Sequence, residues 1–451
     1  MEIIPLSADE KTPWNAFINR HYPPVGAFMQ SWEWGSFQKT LGRDVQRYLL
    51  TESHTPIAAF SLVSHTAPLG LSYGYMPRGP VLAGTVTEER IGKILNTIRR
   101  WAVAAYPHLA FIRMEPPIAS IPGSLKRGFA LPRYYVQPKF NLAVPLYASI
   151  PDIIGNFHPS TRSNIRRAER RGVTVKITSH YSESDVDDFF AMAHDTIARN
   201  SGKNVYPTRA YFRSLLKTIL HTSAYDDPNC LSAGIFRGYQ HDALAAMHIV
   251  LFFSGTATYL YGASHSRNLP SKVTTYLHWA AMEEAKRRGL HYYDIGGIDD
   301  TRWPTLTAFK RQFNGEEFAY AGNIDILIHS GRYRIYNAVR RLRKSLLVLI
   351  ITAALMPIFF HVVAFAQSRE ELTVQLQQME MQIAEYEHEL SQTRTQKQTL
   401  TDKISALRKQ QEKIALQIKA TLLKDNGAAT GGTDAEWRVA MLYFSGSTGT
   451  T

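Results

Sequence analysis

The chain has 451 residues, room for roughly three domains at about 150 residues each. With 45% hydrophobic and 20% charged residues it is ordinary globular material, which excludes a wholly disordered, collagenous or polytopic membrane protein. The net charge of +13 is uneven: residues 1–344 carry +14 and residues 345–451 carry −1, so the folded part suits a polyanion such as a nucleotide, a phosphorylated precursor or RNA.

Met1–Asn15 is polar, and no secretory signal is expected there. Gln30–Lys39 (QSWEWGSFQK) reads as a short helix whose tryptophans pack and whose Lys39 is free to meet a ligand phosphate. Tyr75–Pro80 reads as a turn, with Arg78 either solvated or aimed at an anion. Leu109–Glu115 is a strand ended by Pro116-Pro117, and Glu115 at its end either holds a ligand amine or meets solvent. His158–Gly172 opens a helix capped by Ser160 or Thr161. Arg162, Arg166, Arg167, Arg170 and Arg171 crowd that helix, as a solvated basic face or as a surface for phosphate or RNA. The lone cysteine, Cys230, excludes an internal disulfide framework and reads as buried filler.

Leu244–Val250 and Thr256–Gly262 look like paired strands; a helix over Val273–Arg288, closed by Gly289, and a strand over His291–Ile295 follow. That order suits an N-acetyltransferase-like core. The glycine loop with which acetyltransferases cradle coenzyme A is missing, because Arg267 is followed by Asn268-Leu269-Pro270. Coenzyme A is therefore disfavoured, and no cofactor or metal is expected. Lys310 stands between Phe309 and Phe313, either on an amphipathic surface or as a partly desolvated cation beside a reacting carbonyl.

Leu346–Ala366 is 21 residues without an acid, lysine or arginine. As a helix it would be about 31 Å long, matching a bilayer core of roughly 30 Å. Arg332, Arg334, Arg340, Arg341, Arg343 and Lys344 precede it, so residues 1–344 are expected on the cytoplasmic face of the plasma membrane and the tail outside. Ala364-Phe365-Ala366 also gives the stretch the layout of an internal signal peptide, as two joined reading frames would produce. From Leu372 to Ile418 apolar residues recur at steps of four and three, predicting a coiled coil and self-association. Residues from Asn426 are rich in Gly, Ala, Thr and Ser and read as disordered.

QSWEWGSFQK (30–39), YMPRGPV (75–81), TRSNIRRAERRGV (161–173), YLYGASHSRNLPSKVTTYLHWAAMEEAKRRG (259–289), YYDIGGI (292–298) and LTAFKRQFNGE (306–316), in this order, resemble the FemA/FemB/FemX family of peptidoglycan bridge-forming aminoacyltransferases. The resemblance implies an α/β fold of two acetyltransferase-like (GNAT) domains, residues 1–145 plus 310–344 and 146–309; it does not cover the membrane or signal-like segment (345–366), the coiled coil (369–424) and the tail (425–451) read from the residues above. It implies transfer of an amino acid from aminoacyl-tRNA to a stem-peptide amine of UDP-MurNAc-pentapeptide or lipid II. Lys310 would support the transition state, while Lys39, Arg78, Glu115, Arg209, Tyr211 and Tyr261 would hold the precursor and the five arginines the tRNA. Two other readings remain open: an acyltransferase acting on exopolysaccharide or lipid, and a coiled-coil envelope protein with a degenerate enzyme part.

Overall fold

A computed structural model describes residues 1–342, apart from 8, 126, 200–203, 221–226 and 228. The expected membrane segment, coiled coil and tail lie outside these residues. Among the described residues no helix is long and apolar enough to cross a membrane.

Strands β1 (Glu2–Pro5), β2 (Val45–Glu52), β3 (Thr55–Ala67), β4 (Leu71–Met76), β5 (Val81–Leu82), β6 (Phe111–Met114) and β7 (Phe129–Ala130) build a first sheet. A second contains β8 (Phe140–Pro145), β9 (Val173–Thr178), β10 (Ser232–Gln240), β11 (Ala243–Phe253), β12 (Thr256–Ser264), β13 (Tyr292–Ile298) and β14 (Glu316–Ala319). The last strand, β15 (Ile324–Leu327), returns to the first sheet between β6 and β7.

The two sheets repeat one plan. The first runs β1-β2-β3-β4-β6-β15-β7, with β5 beside β3; the second, read from its other edge, runs β9-β10-β11-β12-β13-β8-β14. Each holds one parallel pair, β4 with β6 and β12 with β13, amid antiparallel neighbours. A parallel pair needs a long crossover. The helices Glu88–Ala105 and Val273–Arg287 supply it. The second sheet is drawn wholly from residues 140–319, wider at both ends than the expected 146–309, because β8 pairs with both β13 and β14.

Period-two alternation buries both faces of the second sheet. Met247, Ile249, Leu251 and Phe253 of β11 join a core shared with the helices Lys11–His21, Trp32–Thr40, Glu183–Arg199 and Arg209–Leu220. Ala246, Val250 and Phe252 face the opposite core, under Pro159–Arg170 and Val273–Arg287. The first sheet packs on Glu88–Ala105, a helix capped by Thr87 and anchored by Ile94, Leu95 and Ile98. Burying each such side chain contributes about 1.5–3 kcal/mol.

Arg113 of β6 and Asp325 of β15 sit opposite each other in register, 2% and 0% exposed. Arg113 donates from Nε and Nη2 to the two carboxylate oxygens at 2.8 and 2.7 Å, and the Tyr333 hydroxyl adds a third bond at 2.9 Å. Tyr333 meets Phe111 edge-on and Tyr336 meets it at a tilt, both from the helical stretch 330–342. This pair fixes the last strand and the chain beyond it. Removing one partner leaves a buried charge uncompensated. Asp325→Ala should therefore lower stability by about 3–5 kcal/mol in urea unfolding, while Arg113→Met with Asp325→Leu recovers most of the loss. Equal losses in the single and double variants would contradict the role given to the pair.

Candidate active site

Hydrogen-bonded pairing between β12 and β13 covers Thr256↔Tyr292, Ala257↔Tyr293 and Thr258↔Asp294. Beyond that, β12 continues to Ser264 and β13 to Ile298 without pairing to each other. The two strands part, as they must where each bends to a different neighbour. Lys310, from the helix Pro304–Arg311, reaches the opening. Its Nζ donates to the Gly297 carbonyl at 2.7 Å. Gly296 is left-handed at φ +93°, and a Cβ there would stand 3.2 Å from that Nζ, so a glycine is what lets the lysine in.

Lys310 is 6% exposed. Burial pushes its pKa down to about 8, and the Asp294 carboxylate opposes the shift. An ammonium has three donors. Two of Lys310's have no partner among the described residues. Behind it lie His248 and His278, ring centroids 4.5 Å apart, with the Tyr293 hydroxyl 2.8 Å from His278 Nδ1. Burial holds His248 down to about 3, and burial, His248 and Lys310 hold His278 well below the usual range. Both rings are neutral at pH 7, so Lys310 is the cation of this centre.

A second group lies across the sheet. In a regular strand Tyr259 and Tyr261 would share a face. A bulge in β12, opposite Ile249 and Val250, sets them apart. Tyr259 packs on the core around His278, and Tyr261 on the core shared with Tyr211. Tyr211 meets Phe37 edge-on at 5.0 Å, and burial raises its phenol while Arg43, Tyr261 and Gln38 pull it back. Lys39, three residues before Gly42 and at the end of its helix, is exposed.

The remaining expected residues are distributed differently. Arg78, read as solvated or anion-directed, is 4% exposed. Its Nη2 donates to Pro138 O at 2.9 Å and its guanidinium lies 3.8 Å over the Tyr320 ring. Glu115 is buried too, accepting from the Tyr75 hydroxyl at 2.6 Å and Gln137 N at 3.1 Å. Arg209 pairs with Asp187, on the surface. In the arginine helix, Thr161, Ile165 and Ala168 form the buried face, and the N-cap is His158, whose Nδ1 accepts from Ser160 N. Arg162 donates to Gly155 O at 2.9 Å and Arg171 to Pro270 O at 2.6 Å, tying both to neighbouring turns. Arg166, Arg167 and Arg170 stay exposed. Cys230 is half-buried, its thiol pushed up to about 11 chiefly by burial.

Five residues at or beside these groups escaped the sequence reading: Arg43, His248, His278, Asp294 and Asn141, whose Nδ2 lies 3.2 Å from both Asp294 oxygens. Asp294 stood inside a quoted motif, and an acid in an apolar strand, followed by two glycines, was the available signal. Arg43 and Asn141 carry no such signal, although Asn141 is buried.

Residues 159–311 match the acetyltransferase (GNAT) domain family. The lipid II:glycine glycyltransferases of Staphylococcus aureus strains USA300 and Mu50 are each 21% identical to this chain, covering 73% of it and 95% of themselves. The crystal structure of FemX superposes with a TM-score of 0.62 at 18% identity, covering 74% of this chain and 99% of its own. These matches support the resemblance to the FemA/FemB/FemX family that the sequence motifs carry. The FemX match gives the same α/β fold, and the GNAT match covers β12, β13, the helix between them and the helix that carries Lys310.

The buried lysine has a stability signature. Below pH about 8 the folded and unfolded chains both carry the charge, and the folded one bears its desolvation. Between about 8 and the unfolded value of 10.5 the unfolded chain holds more protons, so stability rises with pH. Lys310→Met should be more stable than the parent by about 1–2 kcal/mol at pH 7, with the gap closing by pH 10. A variant less stable at pH 7 would show that the ammonium is well compensated where it lies.

Proposed function

We propose that this protein is an aminoacyltransferase of peptidoglycan bridge formation, moving an amino acid from aminoacyl-tRNA to the stem-peptide amine of lipid II or of UDP-MurNAc-pentapeptide. The observation that carries the reading is the Lys310 ammonium, buried at the opening between β12 and β13 with two donors unused among the described residues. An aminoacyl ester is already activated, so no covalent enzyme intermediate is required. The enzyme needs to orient a neutral amine against the ester carbonyl and to stabilise the charge that develops. Lys310 does the second: it donates to the oxyanion, or to the 3′-oxygen as that leaves. The neutral His278 and His248 lack the basicity to take the amine's proton at pH 7, which leaves a substrate phosphate as its acceptor.

The family relatives named for lipid II glycine transfer support the acceptor class. Lys39, with Arg43, Tyr211 and Tyr261, would receive the precursor's diphosphate. Arg166, Arg167 and Arg170 project from a helix whose other face is buried, a placement that suits the phosphates of a tRNA. Arg78, Glu115 and Arg209, each already engaged by protein groups, would shape the acceptor site from behind. The repeated strand plan supports two acetyltransferase-like units, with the second, 140–319, inserted between β7 and β15 of the first. A lipid-linked acceptor would place the enzyme at the cytoplasmic side of the membrane, held there by 346–366, with the coiled coil as a means of self-association.

The test supplies the purified protein with tRNAs carrying labelled amino acids and either precursor. Label should appear on the stem peptide, and Lys310→Ala should reduce the rate about 10²–10³-fold, as loss of an oxyanion donor does. No transfer from any charged tRNA to either acceptor, by a folded protein, would overturn the reading.

A further inference from the structure

Lys310 does not stand alone in its buried site. Asp294, on β13, is 1% exposed. Its Oδ1 accepts from the Gly296 amide at 2.8 Å, and both its oxygens lie 3.2 Å from Asn141 Nδ2, across the β8–β13 pair. Asn141 is itself buried, and its Oδ1 accepts from Arg78 Nη2 at 3.3 Å. Arg78 comes from the turn after β4, in the other sheet.

The order of these groups has a consequence for orientation. A side-chain amide has one accepting and one donating end. Arg78 can only donate, so it takes the oxygen of Asn141 and turns the NH2 toward Asp294. An ionised Asp294 can only accept, and it agrees with that orientation. Asp294 then ties down the amide of Gly296, next to the carbonyl of Gly297 that receives Lys310. Burial pushes the Asp294 carboxyl up, while the Gly296 amide, Asn141, Lys310 and Arg78 all favour its ionised form. No step in the transfer chemistry uses Asp294 or Asn141, yet both are buried polar groups in contact with the site.

We propose that Arg78, Asn141 and Asp294 form a buried charge chain that runs from the first sheet to the Gly296–Gly297 backbone on which Lys310 rests, with Asp294 as the positioning residue that keeps the Lys310 ammonium charged and aimed into the opening. Its role in catalysis rests on the transfer reading above; its hold on Lys310 does not. The chain makes the lysine's state depend on the seating of one sheet against the other. The groups bearing on Lys310 and Asp294 are His278, Tyr22, Tyr293, Tyr320 and Arg78, of which the histidine is neutral and the tyrosines are held protonated by burial.

The experiment follows the titration of Lys310 in the full chain, by pH-dependent acetic anhydride labelling read at that residue by mass spectrometry. Removing an anion beside a cation disfavours the charged form. Asp294→Asn should therefore lower the Lys310 midpoint by roughly one to three pH units, and Asp294→Glu should restore most of it. Asn141→Ala, one link back, should shift it in the same direction by less, which keeps the test open if Asp294→Asn does not fold. In the transfer assay Asp294→Asn should move the alkaline limb of kcat/KM to lower pH, with KM for the charged tRNA unchanged. A folded Asp294→Asn with an unmoved Lys310 midpoint would overturn the proposal, as would an unmoved midpoint in Asn141→Ala should the first variant fail to fold. A shifted midpoint in a protein that transfers nothing would leave the charge chain standing and overturn the transfer reading alone.

Discussion

Keeping an ammonium out of water is expensive, and the neighbourhood of Lys310 is arranged around that constraint. The strands β12 and β13 part to admit it, a left-handed glycine clears its path and the next carbonyl accepts one of its protons. Compensation is deliberately incomplete in the chemical sense: one buried anion faces it and two of its donors find no partner among the described residues. A lysine fully satisfied by protein would be structural. One pushed down to about 8 by burial, with two donors left over among the described residues, suits the donor role proposed for it.

The architecture delivers this geometry through repetition. Both sheets join a parallel strand pair by a helix, and in both the parallel pair is flanked on its far side by strands from elsewhere in the chain. In the second sheet those strands are β8 and β14, and β8 carries Asn141 directly beside β13. The shared core of the helices Lys11–His21, Trp32–Thr40 and Arg209–Leu220 then seats the first part of the chain against the second sheet. Phe37, Tyr211 and Tyr261 are gathered by that contact, and Lys310 stands at the split between β12 and β13.

Much of this was legible in the sequence, where local periodicity and punctuation agree. The helix at Trp32–Thr40, the β11–β12 hairpin, the helix closed by Gly289 and Lys310 between its phenylalanines all follow from short-range pattern. What was not legible depends on long-range pairing. β8 and β14 are short, and β14 is of mixed polarity, so their place in the second sheet shows only when they pair. The bulge that separates Tyr259 from Tyr261 leaves no compositional trace. Arg78 was read as free to meet solvent or an anion because nothing near it in sequence could bury it; Pro138, Asn141 and Tyr320, far along the chain, do. The helix cap at His158 was missed in favour of the hydroxyls that follow it, since an imidazole is an uncommon cap.

The central claim is that a charged Lys310 stabilises the transfer transition state. The most direct measurement is the pH dependence of kcat/KM for aminoacyl transfer, which reports the groups of the free enzyme. The account predicts a limb that falls with rising pH near 8, as Lys310 loses its proton, and that is absent from the residual activity of Lys310→Ala. A rate that keeps rising through pH 10 in the parent protein, or an identical profile in both, would contradict it.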